Sequence, residues 1–296
     1  MEKSKVYFIR EITPENIIKA YEALGKNLEG NVAVKMHSGE QGNQNYLRPE
    51  FVQDVIHHVN GTVVECNTAY EGARNSTEKH KKLIEEHEWN KYFPFDLLDA
   101  EGPDMELEIP NGKVLKKNYV GKNLANYNAL LVLSHFKGHA MGGYGGALKQ
   151  LSIGCASSRG KTLIHTAGVT DDQKVLFQNF PEQDRFLEAM ADAAKSVVDY
   201  FKGNAVYINV MKNISIDCDC DAHASAPCMQ DIGILASLDP VAVDQACLDL
   251  VYQSNDPEKD KLIERIESRH GVHTIESAYD LGVGNREYEL VQIDEK

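Results

Sequence analysis

The chain of 296 residues carries 31 basic against 45 acidic side chains, and a net charge of −14 argues against nucleic acid as a partner. Hydrophobic residues at 42% fit a globular protein with a real core, and no apolar run approaches the roughly 18–20 residues of a membrane span. No signal-peptide pattern opens the chain, so a cytoplasmic protein whose six cysteines are free thiols is expected rather than a disulfide framework.

In chain order, residues 6–9 read as a short apolar strand. Thr13-Pro14 then opens a helix, with Thr as N-cap and Pro at the first helical position. A strand at 32–36 runs into a polar loop at 37–46 (HSGEQGNQNY). The pattern continues with a helix at 48–59, a strand at 62–65, a loop at 67–75, a helix at 76–86 and a strand at 95–98. Residues 105–116 suggest a hairpin turning at Asn111-Gly112. A buried strand is expected at 130–133 and a linker at 169–182. An amphipathic helix follows at 186–201, strands at 205–210, 214–220 and 232–237, and helices at 240–252 and 258–269.

Strands alternating with helices imply an α/β fold with parallel or mixed sheets flanked by helices. The expected organisation is two subdomains, 1–180 and 181–296, each with its own sheet and facing one another across a cleft. In such sheets the loops after the carboxyl ends of strands carry the ligand, which singles out 37–46, 67–75 and 135–146. Within the first two loops, His37, Asn45 and Arg74 are the candidate ligand-binding residues.

The richest stretch runs LVLSHFKGHAMGGYGGALKQLSIGCASSRGKTLIH, from Leu131 to His165. His135, Lys137 and His139 fall within five residues, followed by Gly142, Gly143, Gly145 and Gly146, then Lys149, Cys155, Arg159, Lys161 and His165. An acidic chain here concentrates cationic and imidazole groups beside glycines that let backbone approach a ligand. A small anion, a metal or both would suit it. His139, Lys149 and Lys137 are the candidate catalytic residues, and Gly145, Gly146, Arg159 and Lys161 candidate ligand contacts. GCASSRGKT resembles a phosphate loop, but five residues separate its glycines where that loop needs four, so no nucleotide is expected.

A second stretch, IDCDCDAHASAPCMQDIG, brings Cys218, Cys220, His223 and Cys228 close in sequence. On a strand, Cys218 and Cys220 would share a face. Thiolates and imidazoles suit zinc or iron, so Cys218, Cys220 and His223, joined by His135, Cys155 and His165, are the candidate metal ligands. In SLDPVAVDQACLDL, Asp239 caps a helix, Asp244 reads as a structural cap and Cys247 as core. His57, His58, His80, His87, His270 and His273 read as solvated.

VKMHSGEQGNQNYLRPE, LSHFKGHAMGGYGGALKQLSIGCASSRGK, ISIDCDCD and DIGILASLDPVAVDQA together resemble domain-of-unknown-function family number 362, whose members are often described as uncharacterised Fe–S centre proteins. The resemblance implies a ferredoxin-like insertion with CxxCxxC clusters after the GCAS…GK segment; here that place, 169–180, holds no cysteine. The order His139, Gly145-Gly146, Lys149, His165 is also similar to the nickel-pincer lactate racemases. That similarity implies a catalytic His, a Lys that carries the cofactor and a nickel-ligating His on a lactate-racemase-like fold. A second catalytic His of that family would fall near 67–70, where this chain has none.

Three functions follow as expectations. One is a metal-dependent enzyme acting on a small carboxylate, with zinc, iron or nickel bound. Another is an Fe–S or zinc-binding accessory protein of electron transfer, served by a ferredoxin-like redox partner. The third is a small-anion binding module. A homo-oligomer is compatible with each.

Overall fold

The structure, a computed structural model, describes residues 3–294. Ser4–Ile9 (β1) leads into Pro14–Ala23 (α1), where the Thr13 hydroxyl accepts from the Asn16 amide as expected of a cap. Val32–Lys35 (β2), Pro49–His58 (α2), Gly61–Glu65 (β3), Thr77–Glu86 (α3), Trp89–Tyr92 (α4) and Phe95–Leu97 (β4) follow. Met105–Glu108 (β5) pairs with Lys117–Val120 (β6) around a long turn that includes Asn111, whose φ is 63°. The expected hairpin within 105–116 is corrected: it starts where expected, but its second strand lies beyond residue 116 and the connection spans 109–116.

Next come Ala129–His135 (β7), Lys137–His139 (β8) and Gly143–Gly145 (β9). Ala147–Lys149 (α5) runs on into a π turn, Gln150–Gly154, and Ser158–His165 (α6) follows. The C-terminal part holds Gln183–Phe201 (α7), Ala205–Met211 (β10), Gly233–Ser237 (β11), Pro240–Gln253 (α8), Lys259–Ser268 (α9), Val272–Asp280 (α10) and Tyr288–Gln292 (β12).

Eight strands form one mixed sheet in the order β12-β1-β11-β10-β7-β2-β3-β4. The expected separate C-terminal sheet is corrected: β10 pairs in parallel with β7, and β11 runs antiparallel between β1 and β10, so strands from both sides of residue 180 share one sheet. The central strands are apolar on both faces. Leu130 and Val132 enter one core, while Leu131 and Leu133 enter the other. A chain of that pattern must be covered by helices on both sides.

Residues 214–220 were expected as a strand but are irregular. The alternation of ISIDCDCD imitates a strand; tertiary contacts to Asp219, described below, decide the conformation instead. His80 is not solvated. It is fully buried, with its ring between Asn67 Oδ1 and Glu65 Oε2, both at 3.1 Å. Among the described residues no helix is long and apolar enough to cross a membrane.

Candidate active site

β2, β3, β7 and β10 run parallel, so their carboxyl ends open on one edge of the sheet. The loops leaving those ends carry His37, Arg74, Lys137 with His139, and Cys218 with Cys220. Chain segments far apart in sequence thus meet where parallel sheets place ligands.

Asp219 anchors the cysteine loop. Its carboxylate lies 2.9 Å from Lys137 Nζ and 2.9 Å from His135 Nδ1, all three side chains being buried. The His135 ring and the Lys137 ammonium beside it hold its carboxyl well below the usual range against the opposing effect of burial. The backbone of the loop is fixed as well. Gly138 N donates to Ser215 O, Glu40 N to Asp219 O, Asn43 Nδ2 to Asp221 O and Asn45 Nδ2 to Ser225 O. Asn45 therefore binds chain rather than ligand.

The loop brings His139, Cys218 and Cys220 together, with one potential ligand atom of each within 4.8 Å of the others. Lys149 Nζ donates to Cys218 Sγ at 3.4 Å. A hydrogen bond from the Cys220 thiol, reinforced by Lys149 and His139, holds Cys218 well below the ordinary thiol range, while the Cys220 thiol is pushed well above it. Cys218 is thus a thiolate and Cys220 its donor. Burial opposes the Lys149 ammonium, but the two sulfurs outweigh it and raise its pKa.

The tautomers follow from the partners. His139 Nδ1 accepts from the amides of Met141 and Gly142 at 3.2 and 2.8 Å, so the ring proton sits on Nε2 and faces Cys218. His165 is reversed: Nδ1 lies 2.7 Å from Lys161 O and must donate, leaving the Nε2 lone pair without a partner among the described residues. Burial lowers His165 to about 4, so the ring is neutral near pH 7. Burial lowers His139 too.

A cavity of about 60 Å³ opens beside this centre, lined among others by Lys35, His37, Arg74, Lys149, Lys161 and Cys220. That is room for several waters or the head of a small anion. Lys35 and Lys161 are buried yet form no ion pair among the described residues. Lys35 Nζ donates to Met36 O and to Gln150 Oε1, and Lys161 Nζ to Ala156 O at 2.6 Å. Burial lowers Lys35 to about 8. Arg74 is held by Glu40 and Glu65 at 3.1 and 3.2 Å, but its buried Nη2 has no partner among the described residues. Uncompensated buried cations mark a site built for negative charge. Gly154 permits this packing, since a Cβ there would lie 2.7 Å from Lys35 Cε.

Several sequence candidates lie elsewhere. His135 has both ring nitrogens against acceptors, Asp219 and Lys212 O, which leaves none for a metal. His223 is exposed and outside the cluster, and Cys228 is apart from it. Cys155 is buried, and that burial pushes its thiol up to about 11. Arg159 is exposed, pairs with Asp171 and stacks on Tyr119 at 3.8 Å. Gly145 lies against the side chains of Lys137 and Lys149. Gly146 serves the backbone: a Cβ there would meet Asp244 Oδ1 at 2.5 Å, the carboxylate that accepts from the Ala147 and Leu148 amides and caps α5. Lys35, Glu65 and Tyr70 line the cavity and were not singled out by sequence. The one available signal for Lys35 was its place as the last residue of an otherwise apolar strand.

Among solved structures, the lactate racemase apoprotein from Thermoanaerobacterium thermosaccharolyticum is similar at 13% identity and a TM-score of 0.46, over 84% of this chain and 57% of that one. A crystal structure of a protein from Thermotoga maritima is similar at 12% identity and a TM-score of 0.44, over 90% of this chain and 58% of that one. The chain thus spans less than two thirds of either. No curated protein matches the sequence. The model of the domain of unknown function DUF362 matches residues 32–249, and the chain belongs to that family.

Proposed function

We propose that the protein is a metal-dependent enzyme acting on a small carboxylate. The observation that carries this is the convergence of Cys218, Cys220 and His139 beside a cavity whose buried Lys35 and Lys161 form no ion pair among the described residues. The donor set fits a soft divalent metal, zinc, iron or nickel. Cys218 and Cys220 would hold it as thiolates, and His165, whose Nε2 lone pair has no partner among the described residues, would complete the set from outside the 4.8 Å group. His139 does not serve as a ligand in this arrangement, because Nε2 carries the proton and Nδ1 is committed to two amides. A bound metal would polarise a substrate oxygen. His139 carries a proton at Nε2 at the edge of that centre and is the acid/base group. Lys149 balances the thiolate charge, while Lys35, Lys161 and Arg74 Nη2 orient the carboxylate.

The test is metal analysis of protein purified without oxygen and without a nickel-leaching tag. About one divalent ion per chain is expected. The Cys218→Ser/Cys220→Ser variant should lose it and His165→Gln should weaken it, whereas His139→Gln should retain it. Unchanged metal in the double serine variant ends the proposal. A metal-free protein that still binds carboxylates would favour the anion-binding module, a reading supported by the Lys149–Cys218 contact, which already neutralises the thiolate.

A further inference from the structure

The 60 Å³ cavity is only the inner half of a larger concavity. An outer vestibule of about 530 Å³ adjoins it and shares Tyr70, His139, His165 and Cys220 as lining. The two halves differ in chemistry. The inner one presents Lys35, Lys161 and Arg74, and its one carboxylate among the lining residues, Glu65, is engaged by Arg74, His80 and Ser38. The outer one is walled by Met141, Leu176, Phe177, Phe180 and Ala222. Phe177 and Phe180 are 68% and 50% exposed, with ring centroids 5.9 Å apart. Two large exposed aromatics in contact at the mouth of a charged cavity are unusual for a solvated loop. The acidic side chains lining the vestibule are turned to local partners: Glu40 to Arg74 at 3.1 Å, Glu71 to Asn75 at 2.6 Å, and Asp221 to the His223 amide at 2.8 Å.

We infer that the ligand is an amphiphilic acid, whose carboxylate seats among Lys35, Lys161 and Arg74 while an apolar tail lies in the vestibule against Phe177 and Phe180. This deepens the proposed function and rests on its carboxylate reading. The volumes set the division. The inner cavity accepts a head group and little more, whereas the outer one is of the size that holds a small organic molecule. The orphaned Arg74 Nη2 gives the head a donor that no described residue uses. Burying a tail on the phenylalanines removes apolar surface of ligand and protein alike from water.

Calorimetric titration of the full chain with acetate, hexanoate and uncharged hexanamide tests the inference. The parent should bind hexanoate at least tenfold tighter than acetate, and hexanamide at least tenfold weaker than hexanoate. The Phe177→Ser/Phe180→Ser variant alters exposed side chains and should fold. It should bring hexanoate to the affinity of acetate and leave acetate unchanged. Equal affinities of the parent for the two acids, or an unaltered preference in the double variant, overturn the inference while acetate binding keeps the carboxylate reading alive. If neither acid binds although metal loads normally, both the carboxylate reading and this inference fall. A concentration-dependent dimer that the same double variant abolishes would assign the phenylalanines to a second copy of the chain and overturn the inference as well.

Discussion

Asp219→Asn should be among the most damaging single changes outside the hydrophobic core. The carboxylate is 1% exposed and faces two buried partners at 2.9 Å, Lys137 Nζ and His135 Nδ1. Asparagine keeps the shape and one acceptor but removes the charge. Lys137 would then be a buried ammonium facing only neutral acceptors among the described residues, the asparagine oxygen and His135 O at 2.8 Å. Breaking one side of a buried ion pair typically costs about 3–5 kcal/mol. For a chain of this size roughly 2 °C of Tm follows each kcal/mol, so a fall of roughly 6–10 °C is expected. Differential scanning calorimetry measures it. A Lys137→Met variant supplies the second arm of a double-mutant cycle, and the Asp219→Asn/Lys137→Met pair should cost less than the sum by about 1 kcal/mol or more. Because Asp219 sits between Cys218 and Cys220, the single variant should also weaken metal loading. A loss under about 1 kcal/mol, or strict additivity, would refute the idea that this ion cluster holds the cysteine loop.

Other expectations follow from the same geometry. Lys35 titrates at about 8, so its ammonium is present below that pH and lost above it. Acetate binding should therefore weaken as pH rises through about 8, and Lys35→Met should flatten that limb in a calorimetric pH series. The same variant should be as stable as the parent or more so near pH 7, because burying this cation lowers its pKa and disfavours the charged folded state there. Burial raises Asp244 to about 6, above its unfolded value, so its stabilising contribution is full below about pH 4 and is lost as pH rises through about 6. Asp244→Ala should cost about 2–4 kcal/mol in chemical denaturation, since it orphans the Ala147 and Leu148 amides, Tyr144 and Asn209. Arg159→Ala should leave acetate affinity unchanged within error, because the side chain is engaged with Asp171 and Tyr119.

Local chemistry made much of the fold legible. Thr13-Pro14 and Asp239-Pro240 are helix starts in the structure as in the sequence, and the β2, β3 and β7 strands stand where apolar runs place them. The loops after those strands carry His37, Arg74 and His139, as a parallel sheet requires. What escaped reading is long-range. No local signal says that β10 pairs with β7, so the C-terminal strands looked like a sheet of their own. The Cys218 segment alternates like a strand, and only the distant His135–Lys137 pair, by drawing in Asp219, fixes it as a loop. His223 lies three residues from Cys220 in sequence but is exposed, whereas His139, some eighty residues away, completes the cluster. His80 looked solvated because a lone polar residue on a helix normally is, and Lys35 drew no notice as the polar end of an apolar strand.

The distribution of charge gives the site its logic. The protein is acidic overall, yet Lys35, Lys149, Lys161 and Arg74 surround one small cavity. Two of these are answered: Arg74 by Glu40 and Glu65, and Lys149 by the Cys218 thiolate. Among the described residues, Lys35 and Lys161 hydrogen-bond only to neutral acceptors. Burying an unpaired ammonium is costly, and a fold under selection for stability alone would replace it with an apolar side chain. Two such residues on one wall, with an unused guanidinium nitrogen nearby, are best explained by a ligand that supplies the missing negative charge. Cys220, the hydrogen-bond partner of the Cys218 thiolate, lines the same cavity, so whatever anion enters is brought to the edge of the sulfur centre.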